Sequence, residues 1–178
     1  CSGTFNNDSE SKEVTCEVDS DRRNAIQSNH TATHLLHSAL QKIIGDHVHQ
    51  AGSLVGPNYL RFDLTHFEKI KDDDLDKIEF LVNHEIQKNT FLDISVKSFD
   101  EAKSEGAQSL FGEKYGDRVR MVAVQNYSKE LCGGTHVERT GDIGLFKICE
   151  EASLSTGVRR IVAVTGEKAI IHIQEREK

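Results

Sequence analysis

Histidine and cysteine stand in two short clusters that together could hold a metal ion. The first is Asn29-His30-Thr31-Ala32-Thr33-His34; the second is Leu131-Cys132-Gly133-Gly134-Thr135-His136. Within each cluster the two donors are four residues apart. Three imidazoles and one thiolate make a complete tetrahedral ligand set for zinc. One ion would then join two segments that lie far apart in the chain. Taken alone, a His-x3-His pair on an amphipathic helix is a weak signal, and a lone cysteine is more often a small buried hydrophobe. Two glycines lodged between a cysteine and a histidine have no packing rationale, and they make the shared metal site the stronger reading.

The elements that must position these donors follow from periodicity. From Asp21 to Ile44 the apolar residues Ile26, Ala32, Leu35, Leu36, Ala39, Leu40, Ile43 and Ile44 recur at helical spacing, and Gly45 is a natural stop. Positions i and i+4 share a helix face, so His30 and His34 can reach one ion. His37, three residues past His34, is a substitute ligand on the same helix. Gly133-Gly134 is costly in a regular helix, so Cys132 and His136 belong on a loop or a strand end. The two glycines would also admit a substrate backbone or a ribose.

Elsewhere, Val14–Val18 alternates like one strand, and residues 1–12 are polar and aperiodic. His47–Val55 and Tyr59–Leu64 predict a hairpin turning at Gly56-Pro57-Asn58. Asp74–Asn89 predicts an amphipathic helix with acidic residues at its start. Phe91–Phe99 reads as a strand, Ser98 opens a short helix with Glu101 in capping-box position, and Ala107–Gly116 reads as loop or broken helix. Arg118–Val124, Ile143–Glu151 and Val158–Val164 predict further strands, with a last helix from Gly166 to Gln174. The sum is an α+β fold, an antiparallel sheet packed against two main helices. Residues 1–20 read as a linker with a remnant strand of a preceding β-barrel, and residues 21–178 as the functional domain.

Composition sets bounds. The 178 residues allow one sizeable core, and 37% hydrophobic with 29% charged residues is ordinary for a soluble globular chain. The apolar runs are short, as in Ile161-Val162-Ala163-Val164, so no segment predicts a membrane span. Cys1, Cys16, Cys132 and Cys149 lack a disulfide-framework spacing, which suits a reducing cytoplasm or an organelle matrix. A net charge of −7 argues against nucleic-acid binding over the whole surface. A local basic face remains open, with Arg118, Arg120, Arg139, Lys147, Arg159 and Arg160 as candidates; a solvated strand surface is the alternative.

The motifs resemble those of a known family. Asn29-His30-Thr31-Ala32-Thr33-His34-Leu35-Leu36 and Leu131-Cys132-Gly133-Gly134-Thr135-His136 are similar to the editing domain of alanyl-tRNA synthetase. So are Gln50-Ala51-Gly52-Ser53-Leu54-Val55, Arg61-Phe62-Asp63, Leu110-Phe111-Gly112-Glu113-Lys114-Tyr115 and Gly157-Val158-Arg159-Arg160-Ile161, in order from about Val14 to Gly166. The related threonyl-tRNA synthetase editing domain usually reads Cys-Arg-Gly-Pro-His where this chain has Cys132-Gly133-Gly134-Thr135-His136. Free-standing alanyl-tRNA editing proteins carry a full β-barrel ahead of the histidine helix. With its Cys1 start, the chain is expected to be covalently part of a larger synthetase whose ATP-dependent aminoacylation domain precedes it.

The resemblance implies zinc, held by His30, His34, Cys132 and His136. It implies hydrolysis of the ester that joins serine or glycine to the acceptor end of alanine-specific tRNA. The need is physical: a missing methyl is worth only ~1–3 kcal/mol in a pocket, so a site that accepts alanine cannot exclude glycine by binding alone. Gln50 and Ser53 match the family's glutamine-glycine-serine region, where Gln50 would orient water or hold the adenosine. Thr31 and Thr33 offer hydroxyls that could read a serine side chain, against the alternative of back-bonded helix threonines. Arg159 and Arg160 would meet acceptor-stem phosphates, against a strand-end salt bridge. Either all four ligands close the zinc shell or one, His136, yields its place to water. A tRNA-binding module with purely structural zinc and a free-standing editing protein are the alternatives. A general zinc esterase lacks an obvious carboxylate beside the ligands in sequence.

Overall fold

The computed structural model describes residues 15–109 and 115–177. Residues 15–19 carry no regular structure, so the expected strand Val14–Val18 is absent there, and Val14 and the Leu110–Lys114 part of one motif lie outside the described residues.

Helix α1 spans Ser20–Ile44. Its start is fixed by Asp19, whose carboxylate accepts the Arg22 N–H at 2.9 Å, and Gly45 at φ 130° ends it. The periodic stripe read from the sequence is the buried face: Ala32, Leu35, Leu36, Ala39 and Leu40 are all fully buried. At roughly 1.5–3 kcal/mol per buried leucine, this face anchors the helix firmly enough to carry polar cargo. Asn29, Thr31, Thr33, His34 and His37 are that cargo, each at most 5% exposed.

The strands form two antiparallel sheets rather than the single one expected. The larger has the order β1-β2-β7-β6, with β1 Gln50–Val55, β2 Leu60–Thr65, β6 Phe146–Ser155 and β7 Val158–Thr165. The β1–β2 and β6–β7 hairpins flank it, and β2 meets β7 in the register Phe62↔Ile161. The smaller sheet has the order β3-β4-β5, with β3 Asp93–Ser98, β4 Arg118–Val124 and β5 Ser128–Leu131. The sequence reading left β5 out. It is four residues long, it begins just after the turn residue Gln125 at φ 41°, and its Lys129 and Glu130 mask any apolar run.

Helix α2 spans Asp72–Gln87, two residues earlier than the expected Asp74–Asn89, because Asp72 and Asp73 serve its first turn. Asn89, at φ 51°, turns the chain away after it. Ile78, Val82 and Ile86 face α1, and the main core joins them to Phe62, Phe146, Ile161 and the α1 stripe. A separate small core of Ala102, Ala107, Val119, Met121, Ala123 and Leu131 holds the short helix α3, Phe99–Ser104, onto the smaller sheet. Helix α4, Gly166–Arg176, closes the described chain. Among the described residues no helix is long and apolar enough to cross a membrane.

The smaller sheet delivers the second cluster. Strand β5 runs antiparallel to β4 up to the pair Met121↔Leu131, and the chain then leaves the sheet at Cys132. It returns through a 3₁₀ turn at Thr140–Ile143, which packs on both α1 and α2. Residues 132–138 are thus stretched across the middle of α1 as an irregular loop.

Candidate metal centre

Backbone geometry first brings the two clusters together. Arg120 on β4 donates one guanidinium nitrogen to the carbonyls of Cys132 and Gly134, both at 2.7 Å. Its backbone carbonyl accepts the Cys132 N–H at 3.0 Å. The loop is therefore pinned at the two residues that flank Gly133. Asn29 pins the helix side: its amide donates to the Gly56 carbonyl at 2.8 Å, and its side-chain carbonyl accepts the Thr165 hydroxyl at 2.8 Å. One buried side chain ties α1 to the β1–β2 turn and to the end of β7.

The four donors of His30, His34, Cys132 and His136 then lie within 4.8 Å of one another. The Cys132 sulfur is 3.4 Å from His30 Nε2 and 3.3 Å from His136 Nε2. The Gly134 N–H also points at the sulfur, at 3.4 Å, and favours the thiolate. The outer nitrogens are committed elsewhere. His30 Nδ1–H donates to the Thr135 carbonyl at 3.2 Å, and His136 Nδ1–H to the Thr31 hydroxyl at 3.1 Å. The Thr31 oxygen also accepts the Val137 N–H at 3.2 Å. The Thr135 carbonyl can only accept, so it sets the His30 tautomer and leaves Nε2 bare toward the cluster, as metal binding requires; the Thr31 hydroxyl can hold His136 in the same tautomer.

Electrostatics agree. Burial, and then the charge of His34, hold the His30 imidazole down to about 4. Burial, with His34 and His30 behind it, holds His136 at about 2, and burial also lowers His34. The rings are therefore neutral near pH 7, which is the ligand form. Packing makes the same point through Gly134. A Cβ there would stand 2.1 Å from His30 Cε1, so the glycine is space given to a ligand ring. This corrects the expectation that both glycines admit substrate. Among the described residues nothing lies within 4 Å of a Cβ added at Gly133. This donor set fits a metal ion.

The other expected site residues are distributed as follows. Thr31 reaches the cluster by orienting His136, while Thr33 is back-bonded to the Asn29 carbonyl at 2.8 Å. His37 stands outside the donor set, its Nδ1 3.2 Å from Glu130. Gln50 and Ser53 sit on edge strand β1, which packs on α1, and neither hydrogen-bonds to the four donors. Arg159 forms a two-pronged pair with Glu151, at 2.6 and 2.7 Å, and Arg160 one with Asp63, at 2.7 and 2.9 Å. Lys147 pairs with Glu79, and Arg139 lies over the Phe91 ring. Most of the candidate basic face is thus engaged within the fold.

Two cavities flank the centre. One of ≈440 Å³ is lined by His30, Tyr115, Arg118, Arg120, Cys132 and Gly133. The other, ≈470 Å³, is lined by Asn24, Gln27, Ser28, His136, Glu138 and Asp142. Sequence reasoning gave Asn29 and Glu130 no role and took Arg120 only as part of a basic face. Glu130 stands beside the ligands in space, where the sequence shows no carboxylate of the His-Glu-x2-His kind: its Oε2 is 3.5 Å from His34 Nε2. The available signal was its place two residues before Cys132, which is the same face of an extended strand.

Residues 119–162 match the family model of the threonyl and alanyl tRNA synthetase second additional domain. The matched stretch takes in Cys132 and His136. Similarity over most of the chain is to one kind of protein. The chain is 58% identical over 163 residues, 92% of its length, to an alanine–tRNA ligase of Desulfosudis oleivorans. It is 54% identical over 164 residues to that of Petrotoga mobilis, and 56% identical over 162 residues to that of Geobacillus thermodenitrificans. Those alignments take in 92% and 91% of the chain. It is homologous to one segment of these ligases and spans 18–19% of their length.

Proposed function

We propose that this chain is the editing domain of an alanine–tRNA ligase, a zinc-dependent deacylase that clears serine and glycine from alanine-specific tRNA in the cytoplasm or an organelle matrix. The observation that carries the reading is the convergence of His30, His34, Cys132 and His136 within 4.8 Å, in a chain whose relatives are alanine–tRNA ligases. The reaction breaks the ester between the aminoacyl carbonyl and the terminal ribose. Water supplies the hydroxyl to the free amino acid, and the ribose oxygen leaves with a proton.

Zinc, when bound, supplies a fixed positive charge that anchors the pocket; four protein donors fill a tetrahedral shell, which is the pattern of a structural ion. The chain's own residues do the rest. Asn29 and Arg120 hold helix and loop in register, and Thr31 fixes the His136 ring. Gly133 leaves the mouth of the ≈440 Å³ cavity open to the ribose, and exposed Arg118 places a positive charge on that cavity for the last phosphate. Gln50 and Ser53 meet the substrate from β1, with Gln50 orienting water. Arg159 and Arg160 contribute to the tRNA contact only through the guanidinium edges their carboxylate partners leave over.

Deacylation of Ser-tRNA, Gly-tRNA and Ala-tRNA, all on alanine-specific tRNA, tests this. Serine and glycine should be removed much faster than alanine. A Gln50→Ala variant should keep its zinc and lose most of the rate. Intact zinc with no deacylation by the parent protein would leave a tRNA-binding module with structural zinc.

A further inference from the structure

Glu130 lies on β5 with its side chain 8% exposed. A carboxylate so buried needs a positive partner, because an unpaired charge costs several kcal/mol in a protein interior. Its close contacts are two rings of α1: Oε2 is 3.5 Å from His34 Nε2 and Oε1 is 3.2 Å from His37 Nδ1. Among the described residues no lysine or arginine pairs with it, so two imidazoles are all the partners the carboxylate has.

The donor set supplies what is missing. A divalent ion on three neutral imidazoles and one thiolate keeps a single positive charge. Glu130 is not one of the mutually close donors, so it stands outside the ligand shell. We propose that Glu130 is the counter-charge of the metal centre: an outer-sphere carboxylate that brings the buried site to neutrality and positions His34 through its ring edge. This rests on the metal reading above and adds a residue to it. His37 has a part in the same device, since its Nδ1–H holds the second carboxylate oxygen. Such outer partners commonly change metal affinity 10–100-fold.

Glu130→Gln keeps the size and still accepts from His37, but it removes the charge. Zinc affinity, read by competition with a chromophoric chelator, should weaken about 10–100-fold. Glu130→Asp should recover part of the loss. The thiolate-to-metal band of the cobalt-substituted protein should shift in Glu130→Gln. Stability should change sign with occupancy: the metal-free variant should melt at or above the metal-free parent, and the zinc-loaded variant below the zinc-loaded parent. Zinc affinity within twofold of the parent, or equal destabilisation with and without metal, would overturn the proposal and leave Glu130 a packing residue. A parent that binds no zinc overturns the metal reading along with it. A parent that binds zinc but hydrolyses no aminoacyl-tRNA overturns only the hydrolytic reading.

Discussion

Gly133 and Gly134 are neighbours in one loop, yet alanine should be nearly silent at the first and severe at the second. At Gly134 an added Cβ would fall 2.1 Å from His30 Cε1 and 2.5 Å from Nδ1. Carbon atoms rest at about 3.5–4.0 Å, so the ring or the loop must give by roughly 1.5 Å. Neither has slack. The ring is tied to the Thr135 carbonyl, and the loop to Arg120 at 2.7 Å on both sides. Metal–ligand bonds tolerate about ±0.2 Å, so a shift of that size removes His30 from the shell. With structural zinc worth about 10–16 kcal/mol over four ligands, one ligand is worth roughly 3 kcal/mol, or about a hundredfold in affinity. Gly133→Ala meets no atom of the described residues within 4 Å and should bind zinc like the parent. Chelator competition on the two variants, with circular dichroism to check folding, measures the contrast. Equal affinities, or a Gly133→Ala loss as large as that of Gly134→Ala, would refute the steric argument.

Elemental analysis after purification without chelator should give one zinc per chain; Cys132→Ala with His34→Ala should abolish it, whereas changes at His47, His49, His66, His84 and His172 should not. Thr31→Val should keep most of the fold and weaken zinc, because His136 Nδ1–H loses its acceptor; unchanged affinity would mean the ring is held by packing alone. Lowering the pH should destabilise the metal-free chain between about 6.5 and 4. His30 and His136 titrate below 6.5 in the folded state, so over that window only the unfolded chain takes up their protons. A flat thermal-melt profile across the window would contradict it. The salt dependence of tRNA binding should be shallow, with a slope of about three or less per decade, since Arg159, Arg160 and Lys147 are already paired; a steep slope would show that those pairs open on binding.

How much of this was legible in the sequence differs by element. α1 and the two pairs of clustered donors were, because donor chemistry and helical period are local properties written into residue type and spacing. α2 and the β1–β2 hairpin were for the same reason, to within two residues at α2's start. The division into two sheets was not. It depends on β2 choosing β7, about a hundred residues away, and on β4 choosing β3 across α3, pairings that no short window of sequence displays. Strand β5 was missed because Lys129 and Glu130 interrupt its pattern: Glu130 is buried on one face against α1 and Leu131 on the other in the small core, so no simple alternation marks it.

The supports of the site were illegible for a related reason. A ligand is recognised by what it is, and a support by where it is. Glu130 is one of 29 acidic residues and Arg120 one of 22 basic ones, and nothing in their types separates them from solvated neighbours. Asn29 precedes His30 in a motif that already has a chemical meaning, so its own double hydrogen bond is hidden behind that of the histidine. Yet these residues decide whether the donors converge. Arg120 spends its charge on two loop carbonyls rather than on a carboxylate, which leaves Glu130 without that arginine and directed at His34. Had Arg120 paired with Glu130, the interior would be neutral without a metal, and the loop would be free to drift from α1. The arrangement found does the opposite: it completes the loop with the cation and leaves the buried carboxylate facing the ring of His34, beside a donor set that could hold an ion.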